Sequence, residues 1–334
     1  MRIRRTCVTL GAALVTVGTL VLALPAAAAG PVTGGAFTNL TWSQGVPVPN
    51  AHLEASVATV KADIYDISGA AGDCSDGAPI GATTAVDVYN TTTNTFTSGA
   101  PIPNARDENA AAAVVGSKIY VVGGVTGCLT GTTVTPVDVL NTKTGTWTTL
   151  PAASDLPAGL TGGEHCGAAV GKSVYYFQAG GIGVLNTAAS PPSWTVLPPN
   201  PLLSPSSFCS AVRVGKTIVI ASPGDGSGDG FSQRILVFNP SSDTITAQSE
   251  LTVPYAEESI ALIKGNVVLA GGDFGLQTVQ IVSTKHQTVA SASPLPGNRD
   301  DTSGGGFVKN VMYIVGGESG TSTLRPHVLI GTPN

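Results

Sequence analysis

Ile119-Tyr120-Val121-Val122-Gly123-Gly124, then Val137-Asp138-Val139-Leu140-Asn141, then Trp147: an apolar run ends in a glycine pair, a second run ends in Asn, and an aromatic run follows. Five further small-residue pairs end similar runs. Their second members are Gly69, Ala179, Pro223, Gly272 and Gly317, at spacings of 44 to 55 residues counted with Gly124. Runs this short, rich in Val and Ile and bounded by Gly, read as strands. A unit of this length repeated six times predicts a closed ring of four-stranded sheets, an all-β propeller.

Tight turns are expected at Gly116-Ser117-Lys118, Gly171-Lys172-Ser173, Gly215-Lys216-Thr217 and Gly265-Asn266, because glycine accepts positive φ. Asn90, Asn141, Asn186 and Asn239 close the third runs, where an Asn side chain can bond nearby backbone. Phe96, Trp147, Trp194, Ile245 and Val289 mark the outer strands. The sixth unit stops at Asn334 without one. Trp42 followed by Pro47-Val48-Pro49 resembles Trp147 followed by Leu150-Pro151, so residues 37–46 are expected to complete the last blade. Closing the ring this way removes the exposed sheet edges.

This pattern resembles the kelch repeat, in which a strand ends in Gly-Gly, a second in Asp or Asn, and a Trp follows. The second unit matches best, through Trp147-Thr148-Thr149-Leu150-Pro151, and Arg106 and Arg299 stand where many kelch repeats carry Arg. Gln178-Ala179 and Ser222-Pro223 depart from it. The resemblance covers essentially all of residues 30–334. It implies a six-bladed kelch-type β-propeller, like secreted bacterial kelch proteins or the central domain of galactose-oxidase-like proteins.

Composition agrees. The 334 residues include 42 Gly and 23 Pro, with 42% hydrophobic and 11% charged residues, enough to fill a core. The formal net charge is -5, and no basic run follows the N-terminus, which argues against a nucleic-acid partner. Arg2, Arg4 and Arg5, the apolar run Val8–Leu24 and Ala26–Ala29 read as a signal peptide over residues 1–29. The residues after Arg4-Arg5 fit a twin-Arg signal poorly, and no Cys at the cleavage site offers a lipid anchor. A secreted chain is expected, with cleavage near Ala28 or Ala29, retention at the cell wall open, and no membrane span in the mature part. Cys74, Cys128, Cys166 and Cys209 then form an even set, which reads as two disulfides. Like positions in neighbouring units point to 74–128 and 166–209. No Cys-x-x-Cys pair supports a zinc or redox site.

In a four-stranded antiparallel blade, the loop after the glycine pair and the connection into the next blade share one mouth. The polar residues concentrate there: His52, Glu54, Arg106, Asp107, Glu108, Glu164, His165, Glu257, Glu258, Arg299, Asp300 and Asp301. They read either as a solvated rim or as a polar pocket for a sugar, a cation or a basic peptide. Asp225, Ser227 and Asp229 alternate as in the first half of a calcium loop, but Leu236 replaces the bidentate Glu, so a Gly-rich turn competes with calcium. No other cofactor is implied.

The expected function is a monomeric binding module holding a carbohydrate or an extracellular protein at the mouth. One alternative is a mutarotase- or epimerase-like enzyme on a small sugar, with Glu108, Glu164 and Glu257 as acid and base and Arg106 and Arg299 as a carboxylate clamp. A galactose-oxidase-like copper enzyme is disfavoured, because His52 and His165 fall in non-adjacent blades. A structural or adhesive surface protein is the third class. No residue is assigned a catalytic role, since fold does not give function.

Overall fold

The structure is a computed structural model that describes residues 37–72, 80–108, 110–127, 131–161, 165–178, 181–203, 209–223, 232–273, 277–302, 305–319 and 323–334. The expected signal peptide, Glu164, Cys74, Cys128 and the Asp225, Ser227 and Asp229 loop lie outside the described residues.

Six four-stranded antiparallel sheets form, each from strands consecutive in the chain except the last. Blade one is Ser56–Val60, Asp63–Ile67, Val86–Asn90 and Thr95–Ser98. Blade two is Ala111–Val115, Lys118–Val122, Asp138–Asn141 and Thr146–Thr149. Blade three is His165–Val170, Ser173–Gln178, Gly181–Asn186 and Ser193–Leu197. Blade four is Ser210–Val214, Thr217–Ala221, Ser232–Asn239 and Thr244–Tyr255. Blade five is Ser259–Ile263, Asn266–Ala270, Val279–Ser283 and Thr288–Ser291. Blade six is Gly306–Val308, Val311–Ile314 and His327–Pro333, completed by Leu40–Pro47 from the other end of the chain. Each innermost strand contacts the innermost strands of both neighbouring blades, and blade six returns to blade one. The ring is closed, as the repeat count and Trp42 predict.

The Trp positions show why closure works. Trp147 Nε1 donates to the Ala100 carbonyl at 2.8 Å and Trp194 Nε1 to Ser154 at 2.8 Å, both in the connection entering the same blade. Trp42 Nε1 donates to Ser293 at 3.2 Å, in the connection entering blade six. The N-terminal strand thus occupies the same place by the same bond.

No single core exists. Six apolar clusters lie between successive blades. Between blades five and six, for example, Val268, Ala270 and Ile281 pack on Met312, Ile314 and Leu329. The second strands are buried on both faces, which is why Asn266–Ala270 reads as a continuous apolar run rather than an alternating one. At the outer turns, the Asn141 Oδ1 accepts the Lys143 N–H at 3.1 Å and Asn239 Oδ1 accepts Ser241 N–H at 3.0 Å, the expected Asx geometry.

The glycine pair has a steric cause. Gly272 has φ +81°, and a Cβ there would stand 2.4 Å from the Ala256 carbonyl oxygen. That close approach lets its N–H reach the Arg299 carbonyl of the next blade's connection at 2.7 Å. Gly69 bonds Arg106 and Gly317 bonds His52 in the same way, at 2.8 and 3.0 Å. The pair therefore stitches each of these blades to its successor. In blade four Ser222 takes the left-handed position instead, at φ 52°.

Candidate functional site

The loops after the glycine pairs and the connections between blades open on one face. Just before four of the six innermost strands, a residue bridges to the one after the pair: Leu53 to Ala70, Asp107 to Val125, Ala256 to Asp273 and Asp300 to Glu318. The next residue is acidic in all four blades and has left-handed backbone: Glu54 (φ 50°), Glu108 (φ 62°), Glu257 (φ 56°) and Asp301 (φ 43°). A non-Gly residue in that region costs of order 1–2 kcal/mol. Here the bridge on one side and the turn into the strand on the other impose it four times over.

This geometry gathers the acids at the axis. Carboxylate oxygens of Glu54, Glu108 and Glu257 lie within 4.8 Å of one another, and so do those of Glu257, Asp273 and Asp301. All but Asp273 are buried. Five carboxylates from blades one, two, five and six thus form an acid ring. Next to it lies a cavity of about 380 Å³ lined largely by small residues such as Ala55, Ala112, Gly167 and Ala211, with Glu257, His165, Ser210 and Arg213 also on its wall. Such a ring offers hard oxygen ligands to a divalent cation, or acceptors to an ammonium or guanidinium group.

The solvated-rim reading of these charges does not describe the structure: the described mouth candidates are buried, each no more than 8% exposed. The bridging turns fold the connection over the blade ends instead of leaving it in water. The candidates also divide by direction. Arg106 is wholly buried and reaches into its own sheet. Its Nη1 donates to the Val121 and Gly123 carbonyls at 3.3 and 3.0 Å, its Nη2 to the Pro136 carbonyl at 3.3 Å, and its Nε to Asn104 at 3.2 Å. Nη2 also pairs with the Asp138 carboxylate. Arg299 repeats the pattern on the Gly316 and His327 carbonyls, both at 2.6 Å. Burial, with Arg325 nearby, brings its pKa down to about 9.

His52 holds the same place in blade one, with Nδ1 3.7 Å from Asp66, whose pKa burial raises. These three side chains are struts between a connection and its sheet. His165 is a different kind of strut: its Nε2 accepts the Gly124 N–H at 2.8 Å, and its ring lies on Tyr176 at 4.7 Å. Asp107 and Asp300 are themselves bridging residues.

Glu258 stands beside the ring and is fully buried. Burial pushes its carboxyl up to about 7, offset in part by its own backbone N–H and by the Ser222 and Ser210 hydroxyls. Neither hydroxyl reaches its carboxylate with hydrogen-bond geometry, and Ser210 Oγ donates to the Glu258 carbonyl instead, at 2.7 Å. Cys166 and Cys209 form the expected disulfide and join the innermost strands of blades three and four on the cavity wall.

Sequence reasoning named Glu54, Glu108, Glu257 and Asp301 but not their equivalence. Each stands fifteen or sixteen positions before the second member of its blade's small-residue pair, a spacing that marks them. Asp273 was missed, although it directly follows a glycine pair.

The kelch motif family matches residues 108–153, the second blade with the connection leading into it. The chain is a six-bladed β-propeller that carries a kelch motif in its second blade. The kelch-like protein terF of Aspergillus terreus is 26% identical over 279 residues, which cover 78% of this chain. The chain spans 57% of that relative's length. The solved structure of YjhT superposes with a TM-score of 0.67 at 15% identity, over 86% of this chain and 96% of that one, a likeness of fold. Kelch propellers serve in general as binding scaffolds, and among the described residues no helix is long and apolar enough to cross a membrane.

Proposed function

We propose that this kelch propeller is a secreted, monomeric binding module, and that its acid ring receives a cationic side chain of an extracellular protein. The observation that carries the reading is the fourfold placement of an acid on left-handed backbone, which brings oxygens from Glu54, Glu108 and Glu257 within 4.8 Å. Carboxylates this close repel one another, and an ammonium or guanidinium entering between them relieves that repulsion. The cavity next to the ring, lined mostly by Ala, Val and Gly with Thr59, Ser210 and Arg213 also on its wall, admits the methylene stem of Lys or Arg. Arg106 and Arg299 hold the connections that present the ring, and a carboxylate clamp on a sugar acid would need their guanidinium groups turned out of the sheets. The same oxygen spacing suits a calcium ion, so metal is the competing occupant.

The test is calorimetric titration with Lys- and Arg-rich peptides, with neutral glycans as a parallel arm, before and after chelator treatment. The triple variant Glu54→Gln, Glu108→Gln, Glu257→Gln should weaken peptide binding at least about 10-fold, since charge-assisted contacts are worth of order 1.5–3 kcal/mol. Undiminished peptide binding by the triple variant, or binding of neutral glycans alone, would sink the reading. Metal analysis of the purified protein separates the calcium alternative.

A further inference from the structure

The opposite face carries the reverse charge. Lys61, Lys172, Lys216, Lys264 and Lys309 lie in the turns joining innermost to second strands, and Lys118 directly follows the equivalent turn of blade two. Lys143 and Lys285 lie in turns between third and outermost strands. In an antiparallel blade both kinds of turn open on the same side. These eight are all the lysines of the chain, and all are exposed. The two carboxylates at the same turns are Asp63 and Asp243, and Asp63 accepts the Asn90 side-chain amide at 2.7 Å. The net charge of -5 therefore conceals a polar molecule, acidic at the mouth and basic behind it.

Two features identify what this face fits. Its cations are mostly lysines, point charges without the forked geometry that selects a single phosphate, and the one guanidinium at these turns, Arg213, spends its Nε on the Gly215 carbonyl, so they match a diffuse anionic surface. Between blades one, five and six, Leu262, Phe307 and Val308 line a shallow depression among Lys61, Lys264 and Lys309.

We propose that the lysine face docks the propeller flat on an anionic phospholipid surface and turns the acid mouth outward. Val196 is the one large exposed hydrophobic residue among those described, so the docking is peripheral and electrostatic, without insertion.

Co-sedimentation with phosphatidylcholine vesicles, with and without phosphatidylglycerol, tests this on the same purified chain in every arm. Association should require phosphatidylglycerol and fall steeply between low and high salt. Lys61→Gln, Lys216→Gln, Lys264→Gln and Lys309→Gln together should weaken it several hundredfold at low salt, since each lysine near such a surface contributes about fivefold. The matching Lys→Arg set should retain binding, which excludes a folding defect as the cause. The acid-ring triple variant should bind vesicles normally, so this proposal and the mouth reading can fail separately. Equal binding to neutral vesicles, no loss in the Lys→Gln set, or binding to soluble polyphosphate with none to vesicles would overturn the lipid assignment.

Discussion

Replacing Glu258 with Gln tests whether a buried carboxyl beside the ring burdens the fold. Its pKa rises from an ordinary 4.5 to about 7, chiefly through burial. For an acid raised in this way, the folded state binds its proton more tightly than the unfolded state does. Below pH 4.5 both states are protonated and the group costs nothing. Between pH 4.5 and 7 the unfolded chain ionises first, and native stability falls. Above pH 7 the full penalty is present. At about 1.4 kcal/mol per unit, the penalty is about 3 kcal/mol. Glu258→Gln keeps the size of the side chain and removes the titration. Urea unfolding of both proteins at pH 4 and pH 8 reads the effect as a double difference, in which all other groups cancel. The variant should match the native protein within about 1 kcal/mol at pH 4 and exceed it by about 3 kcal/mol at pH 8. A difference that does not change with pH, or one that grows toward acid, would refute the argument.

Two further outcomes follow from the fold. Gly272→Ala places a Cβ 2.4 Å from the Ala256 carbonyl at φ +81°, whereas Gly116→Ala at φ +65° meets nothing within 4 Å. Thermal unfolding should show the first losing at least about 2 kcal/mol and the second about 1 kcal/mol, the left-handed cost alone. Arg106→Met leaves Asp138 buried with Asn104 and Thr149 as its side-chain partners among the described residues, and should cost about 3–5 kcal/mol in urea unfolding, with much of it restored in Arg106→Met, Asp138→Leu. If the double variant is no more stable than the single one, the guanidinium matters for its carbonyl bonds more than for the charge pair.

The fold was readable because each feature of the repeat answers a local need. A glycine pair marks the backbone approach that Gly272 makes to Ala256, a terminal Asn marks the turn that Asn141 closes, and a Trp marks the bond Trp147 makes to the entering connection. Trp42, alone near the N-terminus, could be assigned to blade six for the same reason. The candidate site was less readable. The sequence shows Arg106, His52 and Glu54 as neighbours in kind, all polar and all before an innermost strand. Bridge geometry sends the first two into the sheets and turns Glu54 to the axis.

The order of residues along this chain determined what each blade is made of: the strand lengths, the turns, the six-unit count and one lysine at each innermost turn. These depend on interactions within a few tens of residues, so a linear pattern records them. Tertiary structure alone decided what faces what. Glu54 and Glu257 meet only because the ring closes, bringing blades one and five to one axis although about two hundred residues separate them. The lysines show no run in the sequence, yet they share a face because antiparallel pairing returns every such turn to the same side. Charge spread evenly along the chain thus becomes charge divided between two ends of a closed ring.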